Sequence, residues 1–171
     1  MQKMTSAYAN KLLRSLEEDK EYLLNQESES STYRAAVNEE PVIPEYDYAK
    51  TAAGLSAIDD RICRIKHAVN LNNALARVQV GQAVMSVDTI LIRMAQLNRR
   101  KATLDEMRKQ LPKKRETGYS LNQRNVVPEY TYINYDLNLV KQEYDRISSE
   151  IMNMQMALDL YNQTVQFDVD I

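Results

Sequence analysis

The stretch that decides the fold is residues 137–165, LNLVKQEYDRISSEIMNMQMALDLYNQTV. Apolar residues recur through it at alternating steps of three and four, without an interruption. They are Leu137, Val140, Tyr144, Ile147, Ile151, Met154, Leu158, Tyr161 and Val165. This spacing places one apolar stripe along a helix and is typical of a coiled-coil seam. The stretch therefore predicts a long helix that packs against other helices.

Three earlier segments show the same helical period, for example around Leu16, Ile62 and Leu97. Only three Gly and four Pro occur in 171 residues, a composition that is typical of long helices and leaves strands a minor role. We place the four helices at about residues 5–36, 47–73, 86–112 and 134–166.

The chain also contains an internal repeat. Val42-Ile-Pro-Glu-Tyr-Asp-Tyr48 recurs 84 residues later as Val126-Val-Pro-Glu-Tyr-Thr-Tyr132, and each copy precedes a helical pattern. Hairpin repeat one then covers about residues 5–73 and hairpin repeat two about 86–166. We predict an all-α, antiparallel four-helix bundle of coiled-coil-like helices, built from two duplicated hairpins as one domain over residues 1–171. The two copies are expected at related places, and the extended backbone near each proline would allow them to pair as a short ribbon.

Several classes of function are disfavoured by what the sequence lacks. One histidine, His67, and one cysteine, Cys63, give no metal-ligand set and no nucleophilic pair. No Gly-rich phosphate loop is present, and no apolar window is long enough to span a membrane. We therefore predict a cytoplasmic protein that is not an enzyme and has no cofactor or metal.

Charge is divided unevenly along the chain, although the net charge is only −2. Nine Lys and Arg lie between Arg93 and Arg115 with two acidic residues, whereas helix one is acidic. These charges favour pairing within the protein or between its copies, so we predict a homo-oligomer. Nucleic acid is the alternative partner. Its candidate contacts are Arg99, Arg100, Lys101, Lys113, Lys114 and Arg115.

Eleven tyrosines, with one Phe and no Trp, form an unusual aromatic set. Several lie in or beside the two connectors, where they are expected to occupy one end of the bundle. Tyrosine suits half-buried contacts because its ring is apolar and its hydroxyl finds a partner. This end is interpreted as an oligomer interface, with a small-ligand pocket as the alternative. The tyrosines concerned are Tyr46, Tyr48, Tyr119, Tyr130, Tyr132 and Tyr135.

Two lysines, Lys20 and Lys101, occupy matching places in the two repeats and fall on predicted seam positions. A polar group at such a position either fixes the register of the helices or reaches past the seam to water. Carboxylates beside Arg61 and Arg146 are interpreted as members of surface ion pairs rather than as acid–base catalysts.

The order of several motifs resembles a bacterial family of short, uncharacterised, all-helical proteins, some of which carry the name septicolysin. The similar motifs are Asn70-Leu-Asn-Asn73, Gly81, Ser86-Val87, Asp136 and Leu158-Asp-Leu-Tyr-Asn162. The resemblance implies a helical bundle and offers no catalytic residue. A mean hydropathy of −0.54 and charged helix faces argue against a lipid-facing pore.

From these observations the leading hypothesis is a non-enzymatic structural or protein-interaction protein that self-associates. A nucleic-acid-associated protein is the first alternative, and a protein that binds a small ligand at the Tyr-rich end is the second.

Overall fold

A computed structural model describes residues 1–116 and 129–171. The protein is mostly helical, as predicted. Within the described ranges the helices are α1 (Ser6–Ser30), α2 (Tyr48–Leu75), α3 (Val87–Arg108) and α4 (Leu137–Thr164). The short strands are β1 (Gln2–Thr5), β2 (Arg77–Val80), β3 (Ala83–Ser86), β4 (Lys113–Arg115), β5 (Tyr130–Tyr132) and β6 (Gln166–Val169).

Three helix boundaries differ from the predicted ones by three residues or more. Helix α1 ends at Ser30 rather than at residue 36, because it runs into a Ser-rich segment whose side chains compete for backbone hydrogen bonds. Helix α3 ends at Arg108, before Pro112, which disfavours helical backbone at the residue that precedes it. Helix α4 begins at Leu137 rather than at residue 134, because Asp136 accepts the N–H groups of its first turn.

The strands form two-stranded ribbons. Strand β1 pairs antiparallel with β6, from Gln2 opposite Val169 to Thr5 opposite Gln166. Strands β2 and β3 form a hairpin around Gly81, whose φ of 59° suits glycine. Strand β4 pairs antiparallel with β5.

The copies of the connector motif adopt different secondary structures, while their expected related places in a bundle stay a prediction. Tyr48 of the first copy is the first residue of α2, whereas the matching Tyr132 ends strand β5. Residues 42–47 form no strand, and β5 pairs with Lys113–Arg115, so the suggested ribbon between the two copies is wrong for these residues. Val126, Val127 and Pro128 of the second copy lie outside the described residues, as does Tyr119.

The described chain divides into two compact units. The first unit contains residues 1–78 and 158–171, and the second contains residues 79–157. The prediction of one domain over residues 1–171 stays a prediction.

In the first unit, α1 and α2 are antiparallel neighbours. Glu17 pairs with Lys66 and Lys20 with Asp59, so residue numbers fall along α2 as they rise along α1. The buried apolar residues of this unit's core come from both helices and from the β1–β6 ribbon. They are Met4, Ala9, Leu13, Leu16, Ile62, Ile65 and Val169.

In the second unit, α3 packs in the same antiparallel sense against Leu137–Ala157 of α4. Arg93 pairs with Glu150, while Tyr135, just before α4, donates to the carbonyl of Met107. The core of this unit contains Leu104, Val140 and Ile147, with Tyr144 among the half-buried residues around them. Val140 and Ile147 belong to the predicted seam of α4, which therefore supplies the buried face of that helix.

Candidate functional site

Basic and aromatic candidates from the sequence meet on the β4–β5 ribbon. Its register places Lys113 opposite Tyr132 and Arg115 opposite Tyr130. Because side chains alternate along a strand, these four residues share one face of the ribbon. We call the four residues, Lys113, Arg115, Tyr130 and Tyr132, the basic–tyrosine face.

The Lys113 ammonium is held between the two rings of this face. Its Nζ lies 4.1 Å from the ring centroid of Tyr130 and 5.4 Å from that of Tyr132. The ring centroids are 6.4 Å apart, with the planes tilted by 49°. Tyr130 is 40% exposed and Tyr132 is 61% exposed, so both rings retain surface for a further contact. The face thus presents aromatic surface and positive charge together.

The ribbon is extended beyond its strands by backbone hydrogen bonds. The N–H of Glu116 donates to the carbonyl of Glu129 at 2.9 Å, and the N–H of Ile133 donates to that of Pro112 at 3.3 Å. On the opposite face, the Thr131 hydroxyl donates to the Glu116 carboxylate. Tyrosine and threonine favour this extended backbone because they fit a pleated surface. Lys114 is exposed on the face that contains Thr131.

Tyr135 has a structural environment instead. Its hydroxyl donates to the Met107 carbonyl at 2.7 Å, near the end of α3, where carbonyl groups lack helical partners. The ring packs against the core of the second unit. We assign Tyr135 to the connection between α3 and the segment before α4, rather than to an exposed interaction surface.

The basic residues of α3 have diverse environments. Arg99 and Arg100 are exposed. Lys101 Nζ lies 5.4 Å from the Tyr144 ring centroid, and the Arg108 guanidinium lies 3.9 Å from it. Cation–π contacts therefore direct Lys101 and Arg108 toward α4 within the second unit.

Carboxylates neutralise part of this basic stripe. Asp105 accepts from Lys109 and Arg108, and these two hydrogen bonds hold the pKa of Asp105 below its ordinary value. Arg146 donates to Glu143 at 2.8 Å and to Glu150 at 3.0 Å. The bond from Arg146 lowers the pKa of Glu143. The predicted role of the carboxylate beside Arg146 in an ion pair is thus observed.

The first connector places Tyr46 against α1. Its hydroxyl donates to Glu27 Oε1 at 2.6 Å, and chiefly because this bond favours the protonated phenol, the pKa of Tyr46 is raised to about 12. A cavity of about 510 Å³ lies beside it, lined also by Leu23, Lys50 and Gly54. Tyr48 is 70% exposed at the start of α2.

The predicted Tyr-rich end thus falls in both units. Tyr46 and Tyr48 belong to the first unit, and Tyr130, Tyr132 and Tyr135 belong to the second. Each set is therefore a candidate site of its own unit.

Acidic side chains of α1 have two kinds of environment. Glu17 pairs with Lys66 of α2, and Glu27 accepts from Tyr46. Glu18, Asp19 and Glu21 are exposed on the same helix. These three carboxylates form an exposed acidic segment within residues 17–21.

A cavity of the first unit was not predicted from the sequence. It occupies about 500 Å³ in the first unit, beside the C-terminal half of α2, and is lined by Leu71, Leu75 and Phe167 among others. The sequence contains a partial signal for it, because Leu71 and Leu75 are spaced one helical turn apart outside the predicted apolar stripe. His67, an exposed residue of α2, also lines this cavity.

Residues of the septicolysin-like motifs have structural roles. Gly81 forms the β2–β3 turn, and Ser86 is the N-terminal cap position of α3, although its side chain makes no capping hydrogen bond. Asp136 accepts the N–H groups of Asn138 and Leu139. Gly81 thus suits a turn, and Asp136 stabilises the first turn of α4.

In the described ranges, no group of three or more His, Cys, Asp or Glu side chains is arranged to hold a metal ion. No helix among residues 1–116 and 129–171 combines enough length with enough apolar character to cross a membrane.

No family model and no curated protein matches this chain. Among solved structures, it is similar to the crystal structure of a conserved protein of unknown function from Corynebacterium diphtheriae. The TM-score is 0.63 at 14% sequence identity, and the similarity covers 98% of this chain and 100% of that chain. This likeness shows a shared fold across nearly the whole chain.

Proposed function

We propose that this protein is a non-enzymatic interaction protein whose copies associate through the basic–tyrosine face. The observation that carries the proposal is the position of Lys113 between two exposed tyrosine rings, with Arg115 on the same face. Tyrosine and arginine are enriched where protein surfaces bind one another, since both combine apolar contact with directed polar groups.

The partner we propose for this face is the acidic segment of α1 in a second copy. Glu18, Asp19 and Glu21 are exposed and offer negative charge on a rigid helix. Opposite charges on two surfaces accelerate encounter and orient the partners, and their effect weakens as salt increases. Two copies related by a two-fold axis would make this contact twice, whereas a head-to-tail arrangement would propagate it.

A charge-swap experiment tests this interface by sedimentation velocity at low and high salt. Lys113→Glu should abolish association, and so should Glu18→Lys. A mixture of the two variants should associate again, because each then supplies the charge that the other needs. Lys141→Glu, an equal charge change at an exposed position of α4, is the matched control.

Association that survives both reversals would contradict the proposed interface. A strictly monomeric native protein across the micromolar range would contradict self-association itself. The recovery of association in the mixture distinguishes a specific charge pair from a general effect of net charge.

The second candidate is binding of single-stranded nucleic acid, favoured by the same two exposed rings beside Lys113 and Arg115. Aromatic rings stack on bases while cations contact phosphates. Fluorescence anisotropy with labelled DNA and RNA across salt tests this function, because phosphate contacts make affinity fall steeply as salt rises. Affinity that is absent, or independent of salt, would exclude it.

A third candidate is a small ligand at the Tyr46 cavity, which is supported by the cavity's volume and by the Tyr46–Glu27 bond in its wall. Native mass spectrometry of freshly purified protein would detect a ligand that copurifies. A Tyr46→Phe variant that retains the same bound mass would place that ligand elsewhere.

The wider architecture is also part of the proposal. We propose that the two antiparallel hairpins, α1–α2 and α3–α4, derive from a duplication and assemble as a four-helix bundle. The element order supports this, since β1-α1-α2-β2 recurs as β3-α3-α4-β6 once strands β4 and β5, which lie between α3 and α4, are treated as an insertion. Membership of the septicolysin-named family and a cytoplasmic location complete the proposal, the latter supported by the single Cys63.

A further inference from the structure

The C-terminal half of α2 borders an apolar cavity that the proposed interface does not use. Its volume of about 500 Å³ is in the range of small-molecule sites in proteins. The apolar wall contains Ala68, Leu71 and Leu75 from α2, Phe167 from β6, and Met1. Leu71 is 51% exposed and Leu75 is 66% exposed, so a bound molecule would remove leucine surface from water.

The cavity extends along several turns of α2 rather than lying beside a single turn. Lining residues run from Arg64 to Leu75 on one side of α2. The eleven residue-to-residue steps from Arg64 to Leu75 correspond to about 16 Å at the usual rise per residue of an α-helix. The shape therefore suits an elongated molecule more than a compact one.

One neutral polar side chain of the wall can donate a further hydrogen bond. Asn72 Oδ1 accepts from the Tyr161 hydroxyl at 2.9 Å, which fixes the side-chain amide. Its Nδ2 group is buried and has no hydrogen-bond partner among the described residues. A buried N–H donor without a partner is unfavourable, so an acceptor oxygen that reaches Nδ2 through a small shift of the cavity wall would be stabilised.

Charged groups of the lining carry both signs. Arg64 comes from α2, whereas Asp168 and Asp170 come from the segment that contains β6. Asp168 stands opposite Lys3 in the β1–β6 register, where opposite charges stabilise each other. With both signs present, the lining does not favour a charged head group, and the directing group is the neutral amide of Asn72.

We propose that this cavity binds a neutral, elongated apolar molecule that has one acceptor oxygen, such as a ketone or an ester. The oxygen accepts from Asn72 Nδ2, and the hydrocarbon chain contacts Leu71, Leu75 and Phe167. Binding requires no second copy of the protein, so it is independent of the interface proposed above.

Three probes of equal chain length test the proposal: 2-octanone, octanoate and octylammonium. In ¹⁵N-resolved NMR titrations, 2-octanone should shift the Asn72 side-chain amide and the backbone amides of residues 64–75. We expect a dissociation constant of about 1 mM or lower for a ligand of this size. The two charged probes should bind more weakly.

Three variants locate the contact. Asn72→Asp keeps an acceptor for the Tyr161 hydroxyl but removes the Nδ2 donor. It should weaken the binding of 2-octanone about tenfold. Leu71→Gln should weaken the binding of 2-octanone to a similar extent. Because Leu71 is exposed, this substitution should leave the fold intact. Leu91→Gln, at a comparably exposed leucine of α3, is the matched control and should change the affinity by less than about twofold.

Each outcome decides a part of the proposal. No shift in residues 64–75 at the solubility limit of 2-octanone would overturn the site. Equal binding of all three probes, or unchanged binding in Asn72→Asp, would overturn the assignment of Asn72 as the directing donor.

Discussion

The Tyr46 hydroxyl donates a hydrogen bond of 2.6 Å to Glu27 Oε1 and joins the first connector to helix α1. The two residues are 19 positions apart, and the bond fixes the chain just before α2 begins. This contact has a consequence for the pH dependence of folding, because a phenol that donates to a carboxylate resists losing its proton.

We predict that stability falls in strongly alkaline solution partly through Tyr46. Its pKa is raised from 10.0 to about 12 in the folded protein, so the stabilisation is complete below pH 10 and is lost as pH rises toward 12. Urea denaturation at pH 8, 10 and 11.5 measures this loss. In Tyr46→Phe this part of the alkaline dependence should be absent, whereas an unchanged pH profile would contradict the assignment.

Titration with acid should show the effect of Arg146 on the pKa of Glu143. Hydrogen bonds from Arg146 lower the pKa of Glu143, so its side-chain ¹³C resonance should titrate below the ordinary value of 4.5. Stability from this pair is present above that value and is lost as pH falls through the lowered pKa. Arg146→Met should return the midpoint toward 4.5, and Arg99→Met, at an exposed position of α3, is the control. A midpoint that does not respond to Arg146→Met would exclude this pair as the cause.

The core of the first unit should depend strongly on Ile65, which is 0% exposed. Ile65→Ala should lower the free energy of unfolding by about 2–5 kcal/mol, because it removes buried methyl groups and leaves a cavity. The same substitution at Ile92, which is 60% exposed, should change it by less than about 0.5 kcal/mol. Urea denaturation measures both variants. Equal losses would mean that exposure does not distinguish these positions.

Substitution by alanine should lower stability at one glycine and raise it at another. Gly81 has a φ of 59°, so Gly81→Ala should destabilise the β2–β3 turn by about 1 kcal/mol. Gly54 lies inside α2, where alanine is favoured by up to about 1 kcal/mol, but its Cβ would lie 3.3 Å from Leu23 Cδ1. Because that atom ends a flexible side chain, we expect Gly54→Ala to be mildly stabilising. Thermal denaturation of both variants checks the signs, and a more stable Gly81→Ala would be inconsistent with a left-handed turn residue.

The Lys20–Asp59 pair should contribute little to stability. Its Nζ and Oδ1 atoms are 2.6 Å apart, but the side chains remain 35% and 50% exposed. A double-mutant cycle with Lys20→Met and Asp59→Asn should give a coupling below about 1 kcal/mol that decreases with salt. A larger coupling that persists at high salt would indicate that Lys20 fixes the helix register instead.

The two matched lysines, Lys20 and Lys101, show which features of the candidate site can be predicted from the sequence. Their helical positions were predicted, yet Lys20 contacts a carboxylate and Lys101 lies over the Tyr144 ring. Partners of this kind depend on which residue of the neighbouring helix stands opposite, and that is not encoded in the spacing of one helix. The basic–tyrosine face was missed for a similar reason. Its members were all candidates, but the strand register that places Lys113 opposite Tyr132 links two separate segments of the chain.

By itself, the sequence determined that this protein is mostly helical and where most of the helices lie. It did so because apolar spacing, scarce glycine and proline, and capping residues act over one or two turns. Only the tertiary structure decided the strand ribbons, the division into two units, the different roles of the connector copies and the cavity beside α2. Those features arise from contacts between distant segments, where burial and hydrogen-bond pairing across the fold outweigh local preference.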